Sequence, residues 1–213
     1  MFRRMFMMSV LIFFSLSVSA QELKTIKLPP PQMDNPKSLM SALMERKSSR
    51  EFGTRKLPLN VLSNLLWAAC GVNRPESGKR TSPSAMNRQE IDVYVASPEG
   101  LYLYEAKGHA LRPILNQDVR AMTGMQPFVK EAPINLIYVA DLRKMGGENT
   151  EEKNMYVSAD TGFISQNVYL SCAAQGLSTV VRGSLDRDSL GKAMRLEPTQ
   201  EIILAQTVGY PKE

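Results

Sequence analysis

Glu45-Arg46-Lys47-Ser48-Ser49-Arg50-Glu51-Phe52 sets three cations and two hydroxyl side chains within five residues, at the end of an apolar-periodic segment. Arg46, Ser48 and Arg50 stand two apart, so an extended backbone carries all three to one side. At roughly 3.3 Å per residue the two arginine stems begin about 13 Å apart. That reach suits an elongated ligand. One guanidinium holds a phosphate while the other meets a second anionic or carbonyl-rich part of the same molecule. Arginine serves because its planar fork pairs with phosphate oxygens and never loses its charge. The same residues also read as a solvated basic turn after a helix, and the rest of the chain must decide.

Working outward, Leu39, Met40, Leu43 and Met44 share one helical stripe just before the stretch, and residues 21–36, with Pro29-Pro30-Pro31, read as an extended arm rather than core. Beyond it, Val61, Leu62, Leu65, Leu66 and Ala69 predict a strong helix over 58–69. Residues 73–88 are polar and read as one long functional loop. Strands are expected over 91–96 and 101–105, joined by the Ser97-Pro98-Glu99-Gly100 turn. Residues 111–130 suggest short helices broken by Pro113, Gly124 and Pro127. The apolar run 134–140 is a central strand and 144–153 a loop. A long helix over 155–175, a strand over 178–181, a helix over 185–194 and a last strand over 202–208 complete the chain. Strands and helices mix without regular alternation, which argues α+β.

Residues 1–20 read as a cleavable signal peptide: Arg3 and Arg4, an apolar run, then Val18-Ser19-Ala20. The run is too short for a comfortable membrane span. Export to the periplasm is therefore expected, and Arg3-Arg4-Met5-Phe6-Met7 also resembles the twin-arginine export pattern. Losing those two arginines takes the net charge from +5 to +3, too mild and scattered to argue for nucleic acid. His109 is the sole histidine, which excludes multi-histidine metal sites and histidine-based triads. Cys70 and Cys172 sit among small and apolar residues and read as buried thiols.

Three further fragments belong with the arginine stretch. Arg80-Thr81-Ser82-Pro83-Ser84-Ala85-Met86-Asn87 closes the long loop, Asp160-Thr161-Gly162-Phe163-Ile164-Ser165-Gln166-Asn167 leads to Gly176-Leu177-Ser178-Thr179, and Val208-Gly209-Tyr210-Pro211 ends the chain. In this order, over about Ser38 to Lys212, they resemble the nitroreductase family of flavoproteins. Residues 62–69 and 100–104 look more like its branch of azoline-oxidising dehydrogenases.

The resemblance implies an α+β, nitroreductase-like fold, with a central mixed or antiparallel sheet flanked by helices. It also implies an intertwined homodimer that binds FMN at two interface sites, so residues 37–213 would form one FMN-binding domain. Arg46, Ser48 and Arg50 match the family's stretch for the FMN phosphate, ribityl chain and pyrimidine edge, with Lys47 assisting. Pro83, Ser84 and Asn87 match a loop that reaches the flavin of the partner subunit, or are simply turn formers. Gly124 and Gln126 match a segment whose glutamine meets the flavin's carbonyl edge. Arg182-Gly183 falls at a backbone turn near flavin N5, though Arg182 also reads as a solvated strand end. Lys212 is placed to contact phosphate. Residues around Phe128 are candidates for the substrate cleft.

No catalytic side chain and no metal are required, because the flavin carries the chemistry. The implied activity is two-electron transfer to a small-molecule acceptor, a nitro compound, quinone or similar. An exported enzyme would not meet the nicotinamide donors that cytoplasmic relatives use, so the electron donor stays open. Two other readings stand: a dehydrogenase of a peptide or azoline-like substrate, and a catalytically silent relative with or without flavin.

Overall fold

A computed structural model describes residues 23–34 and 37–212, so the leader expected over 1–20 lies outside the described residues. Its helices are α1 Leu39–Glu45, α2 Leu59–Cys70, α3 Thr150–Gln175 and α4 Arg187–Met194. Its strands are β1 Ile26–Lys27, β2 Val72–Arg74, β3 Lys79–Arg80, β4 Ile91–Ser97, β5 Gly100–Glu105, β6 Ala110–Leu115, β7 Ile134–Asp141, β8 Ser178–Arg182 and β9 Gln200–Gly209. Seven of them form one sheet in the order β1-β6-β5-β4-β7-β9-β8, every pair antiparallel.

β7 is an interior strand between β4 and β9, with all of its residues buried and both faces covered. Its alternation decides which helix lies where. Leu136, Tyr138 and Ala140 point to the face that packs Leu65, Leu66 and Ala69 of α2 and Val157, Ile164 and Val168 of α3. Ile137 and Val139 point to the other face, against Leu190 and Met194 of α4. Each such side chain contributes about 1.5–3 kcal/mol by leaving water.

α3 positions the rest. Asn149 caps its start by accepting from the Glu151 and Glu152 amides, and Gly176, at φ 68°, ends it in the left-handed conformation that glycine adopts at no steric cost. Its buried residues, Val157, Asp160, Thr161, Ile164, Ser165, Val168, Tyr169 and Cys172, recur at three- and four-residue intervals and include four polar groups besides the apolar ones. Cys70 and Cys172 are buried free thiols. Desolvation pushes the Cys70 thiol up to about 11, and that of Cys172 higher still.

Several expectations are corrected. Residues 73–88 are not one loop: β2 and β3 pair as a hairpin and Ala85–Asn87 forms a 3-10 turn. Strands of two and three residues are too short to carry an alternation. Residues 111–130 do not start helical, because β6 runs through Pro113 before two 3-10 turns, Arg120–Thr123 and Pro127–Lys130. The arm is extended, yet it joins the sheet: β1 pairs with β6 and Leu28 is buried. α3 begins five residues earlier than its apolar pattern, inside the expected polar loop. On α1 only Ala42 is buried, while Leu39, Met40, Leu43 and Met44 face outward.

Candidate functional site

The arginine stretch runs along the outer edge of β8. The Ser49 amide donates to the Thr179 carbonyl at 2.9 Å, which ties the segment to that strand. Tyr169 of α3 completes the seam. Its hydroxyl accepts from the Val181 amide at 3.0 Å and lies 2.8 Å from Ser48 Oγ, and its ring lies beneath Arg46, 5.3 Å from the guanidinium carbon. Arg46 and Ser48 thus share one side, as the two-residue spacing requires. Lys47 and Ser49 turn the other way. They line a cleft of about 300 Å³ with Gly176, Ser178, Thr179 and Lys212, bordered by Glu45 and Glu51. Among the described residues no carboxylate forms an ion pair with Arg46, Lys47, Arg50 or Lys212. Lys47, Arg50 and Lys212 are exposed.

Phe52 then turns inward and packs on Phe128, ring centroids 5.4 Å apart. Beyond Phe128 lies Arg182, its guanidinium carbon 5.7 Å from the ring centroid. Arg182 is not a solvated strand end. It is buried and donates to the Thr123 carbonyl at 2.6 Å, Asn135 Oδ1 at 2.9 Å and Thr207 Oγ1 at 2.7 Å, leaving Nε without an acceptor. Among the described residues no acid pairs with it, and burial lowers its pKa to about 10, so it stays charged at neutral pH.

This buried cation holds two backbone segments together. A Cβ built on Gly124 would fall 1.9 Å from Arg182 Nη1, so any larger residue there must displace the guanidinium. One residue on, the Met125 amide donates to the Ser184 carbonyl at 3.2 Å, beside Gly183. Gln126 follows, with a buried Oε1 that meets no donor. Gln126, Arg182 and Gly183 therefore gather at one corner, linked through Phe128 and Phe52 to the cation row.

Pro83, Ser84 and Asn87 lie elsewhere. Ser84 Oγ accepts from the Gln89 amide at 3.0 Å, and Met86, Asn87 and Gln89 have positive φ of 51°, 54° and 51°. Asp160 of α3 anchors this turn by accepting from the Ala85 amide at 2.8 Å. Asp160 and Tyr169 are nine residues apart, so they stand about 13 Å apart along α3 and on opposite flanks of it. Among the described residues no hydrogen bond, ion pair or ring contact joins the turn to Arg46–Arg50.

Sequence reasoning missed Tyr169, Asp160 and the Phe52–Phe128 link. Tyr169 and Asp160 fall in the helical stripe of α3, where each reads as one more packing position. The only hint was a charged residue inside an otherwise apolar and small-residue stripe. Among the described residues no group of acids, histidines or cysteines could hold a metal ion, and no helix is long and apolar enough to cross a membrane.

Comparison with known proteins gives one consistent result. Residues 43–210 match the model of the Nitroreductase family. A protein of Methanocaldococcus jannaschii provisionally named a nitroreductase is 31% identical over 183 residues, which span 81% of this chain and 91% of that protein. The crystal structure of a provisionally named nitroreductase from Ralstonia eutropha superposes with a TM-score of 0.86 at 42% identity, covering 92% of each chain. The Escherichia coli microcin synthetase McbBCD complex with truncated pro-MccB17 bound shares the fold, at a TM-score of 0.68 and 20% identity over 95% of this chain and 85% of the matched one.

Proposed function

The chain belongs to the nitroreductase family of oxidoreductases, and from that membership we propose that it is an exported FMN-dependent enzyme. In this reading it works as a homodimer and passes two electrons to a small-molecule acceptor such as a nitro compound or quinone. The observation that carries the reading is the row of unneutralised cations along β8, with Lys212 in the adjoining cleft. Free cations beside hydroxyl groups suit a phosphate and a polyol chain. The donor-less Gln126 Oε1 suits a ring N–H.

Arg46 would hold the phosphate and Ser48 the ribityl chain, with Lys47 and Lys212 adding positive charge from the adjoining cleft. Arg50 would face the pyrimidine edge, where a fixed positive charge favours an anionic reduced ring. Gln126 and Gly183 would border the ring, with Arg182 holding their segments in place from below. Bound FMN supplies the redox chemistry, taking up two electrons and releasing them to the acceptor.

Two features support the dimer. The turn bearing Pro83, Ser84 and Asn87 is too far round α3 to serve its own chain's cation row, so it would serve the partner's. Leu39, Met40 and Met44 of α1 and Met155 and Phe163 of α3 are exposed apolar groups, of the kind that a subunit interface covers. Export rests on the leader sequence. An absorption spectrum of purified residues 21–213, before and after anaerobic dithionite, tests the reading. A flavin spectrum that bleaches and returns in air is expected. A colourless protein that added FMN leaves colourless would sink it.

A further inference from the structure

Glu90 is the least expected side chain in the molecule. It is a carboxyl with no exposed surface, immediately before β4, and neither of its oxygens meets a donor. A buried polar group without a partner is costly, and a buried charge costs more. Beside it lies another carboxyl, that of Asp160, which is itself buried and adds to the cost of ionising Glu90. Two acceptors attract one another only when a proton lies between them. Asp160 already accepts the Ala85 amide, so the turn bearing Ser84 and Asn87 hangs on this pair.

That turn needs an anchor. Three non-glycine residues within it occupy the left-handed region, each at a cost of order 1 kcal/mol. Its internal bonds, Gln89 amide to Ser84 Oγ and Asn87 amide to Ser84 carbonyl, are local. Among the described residues Asp160 alone ties it to α3, while Gln89 also meets Gly78 and Lys144.

We propose that Glu90 and Asp160 share a single proton, and that this proton latches the Ser84–Gln89 turn onto α3. With one proton on the pair, the two carboxyls hold together and Asp160 stays fixed beneath Ala85. With none, two buried like charges repel, and the turn is released with Asp160. The charged groups around the pair do not cancel this. Lys144 reaches the Gln89 carbonyl at 3.3 Å and Asp92 at 3.2 Å, and acts on Glu90 only at longer range. Arg80, which shares a small cavity with Asp160 and Ser84, forms no ion pair with either acid. Desolvation, with Asp160 adding to it, pushes the Glu90 carboxyl up to about 7, so the exchange falls near neutral pH. Any effect on cofactor binding rests on the FMN reading above, but the latch itself does not.

Hydrogen exchange at the Ala85 and Gln89 amides of the mature chain tests the latch. After correction for intrinsic exchange, opening should rise about tenfold per pH unit on approach to pH 7 and then level off. Glu90→Gln, neutral at every pH, should remove that rise. Identical profiles in the two proteins, or no rise in the wild type, would overturn the proposal. Should Glu90→Gln fail to fold, infrared spectra of the wild type decide. A protonated-carboxyl band that persists at about pH 6 and is gone by about pH 8.5 supports the latch, since an ordinary glutamic acid is ionised well below that range. Absence of the band at about pH 6 refutes it. A protein that shows the latch but never binds FMN would overturn only the cofactor reading.

Discussion

Arg46 rests on the ring of Tyr169, whose hydroxyl also takes the Val181 amide and faces Ser48. One side chain thereby registers the cation row against β8. Tyr169→Phe keeps the ring under Arg46 but strips the hydroxyl, leaving the Val181 amide without its acceptor. The expected loss is about 1–2 kcal/mol of stability. FMN should bind more weakly as well, because Ser48 is no longer held. Urea unfolding and a fluorescence titration with FMN read the two effects separately. Unchanged stability would mean that water replaces the hydroxyl without penalty.

Gly124 and Arg182 form a tight pair. Gly124→Ala should push the guanidinium off the Thr123 carbonyl and cost about 1–3 kcal/mol. Arg182→Met removes the obstacle along with its three hydrogen bonds. In a double-mutant cycle the two changes should therefore couple strongly, with Gly124→Ala nearly silent in the Arg182→Met background. Additive effects would show that the contact is relieved by a small shift.

Arg50 is exposed and, among the described residues, has no acidic partner, which leaves it free to act on a bound ring. Arg50→Ala should lower the flavin midpoint potential by about 30–60 mV, the equivalent of one charge-assisted interaction for a two-electron couple. The measurement requires flavin to remain fully bound. An unchanged potential would remove Arg50 from that role and leave it a surface cation.

Glu90 gives stability a definite pH dependence. Its carboxyl is raised from an ordinary 4.5 to about 7, so the folded chain holds a proton that the unfolded chain releases between those values. Stability from this group is complete below about pH 4.5 and is lost as pH climbs through about 7. Asp118 and Asp141 work the other way. Arg120 and Arg143 hold their carboxyls low, so their contribution is present above the ordinary carboxylate range and fades in acid. Comparing urea midpoints of the wild type and Glu90→Gln isolates the Glu90 part. The variant should gain on the wild type steadily from about pH 4.5 to pH 7.

Much of this architecture was legible from periodicity. α2, the β4–β5 hairpin, β7 and β9 all stand within a few residues of their apolar patterns, because each buries a regular face. β6 was not legible, because Pro113 argues against a strand. The structure resolves the conflict: β1 pairs only with Ala110 and Leu111, so Pro113 sits where no outer strand asks for an amide. The side that Arg46 and Ser48 share was readable from spacing alone. Its surroundings were not, since Tyr169 and Asp160 acquire meaning only through the chain segments that fold against α3. Glu90 was hidden for a simpler reason: nothing in its sequence neighbourhood distinguishes a buried acid from a surface one.

A sheet ending in two bare strands would invite other chains to add to it. Here neither flank is bare. On one side β1 shields the start of β6 and proline disarms the rest. On the other, β8 gives its outward Thr179 carbonyl to Ser49 and its outward Val181 amide to Tyr169. The segment that would grip the cofactor is thus also the guard on that flank. Substitutions that loosen it should show up first as aggregation during expression, before any loss of redox chemistry can be assayed.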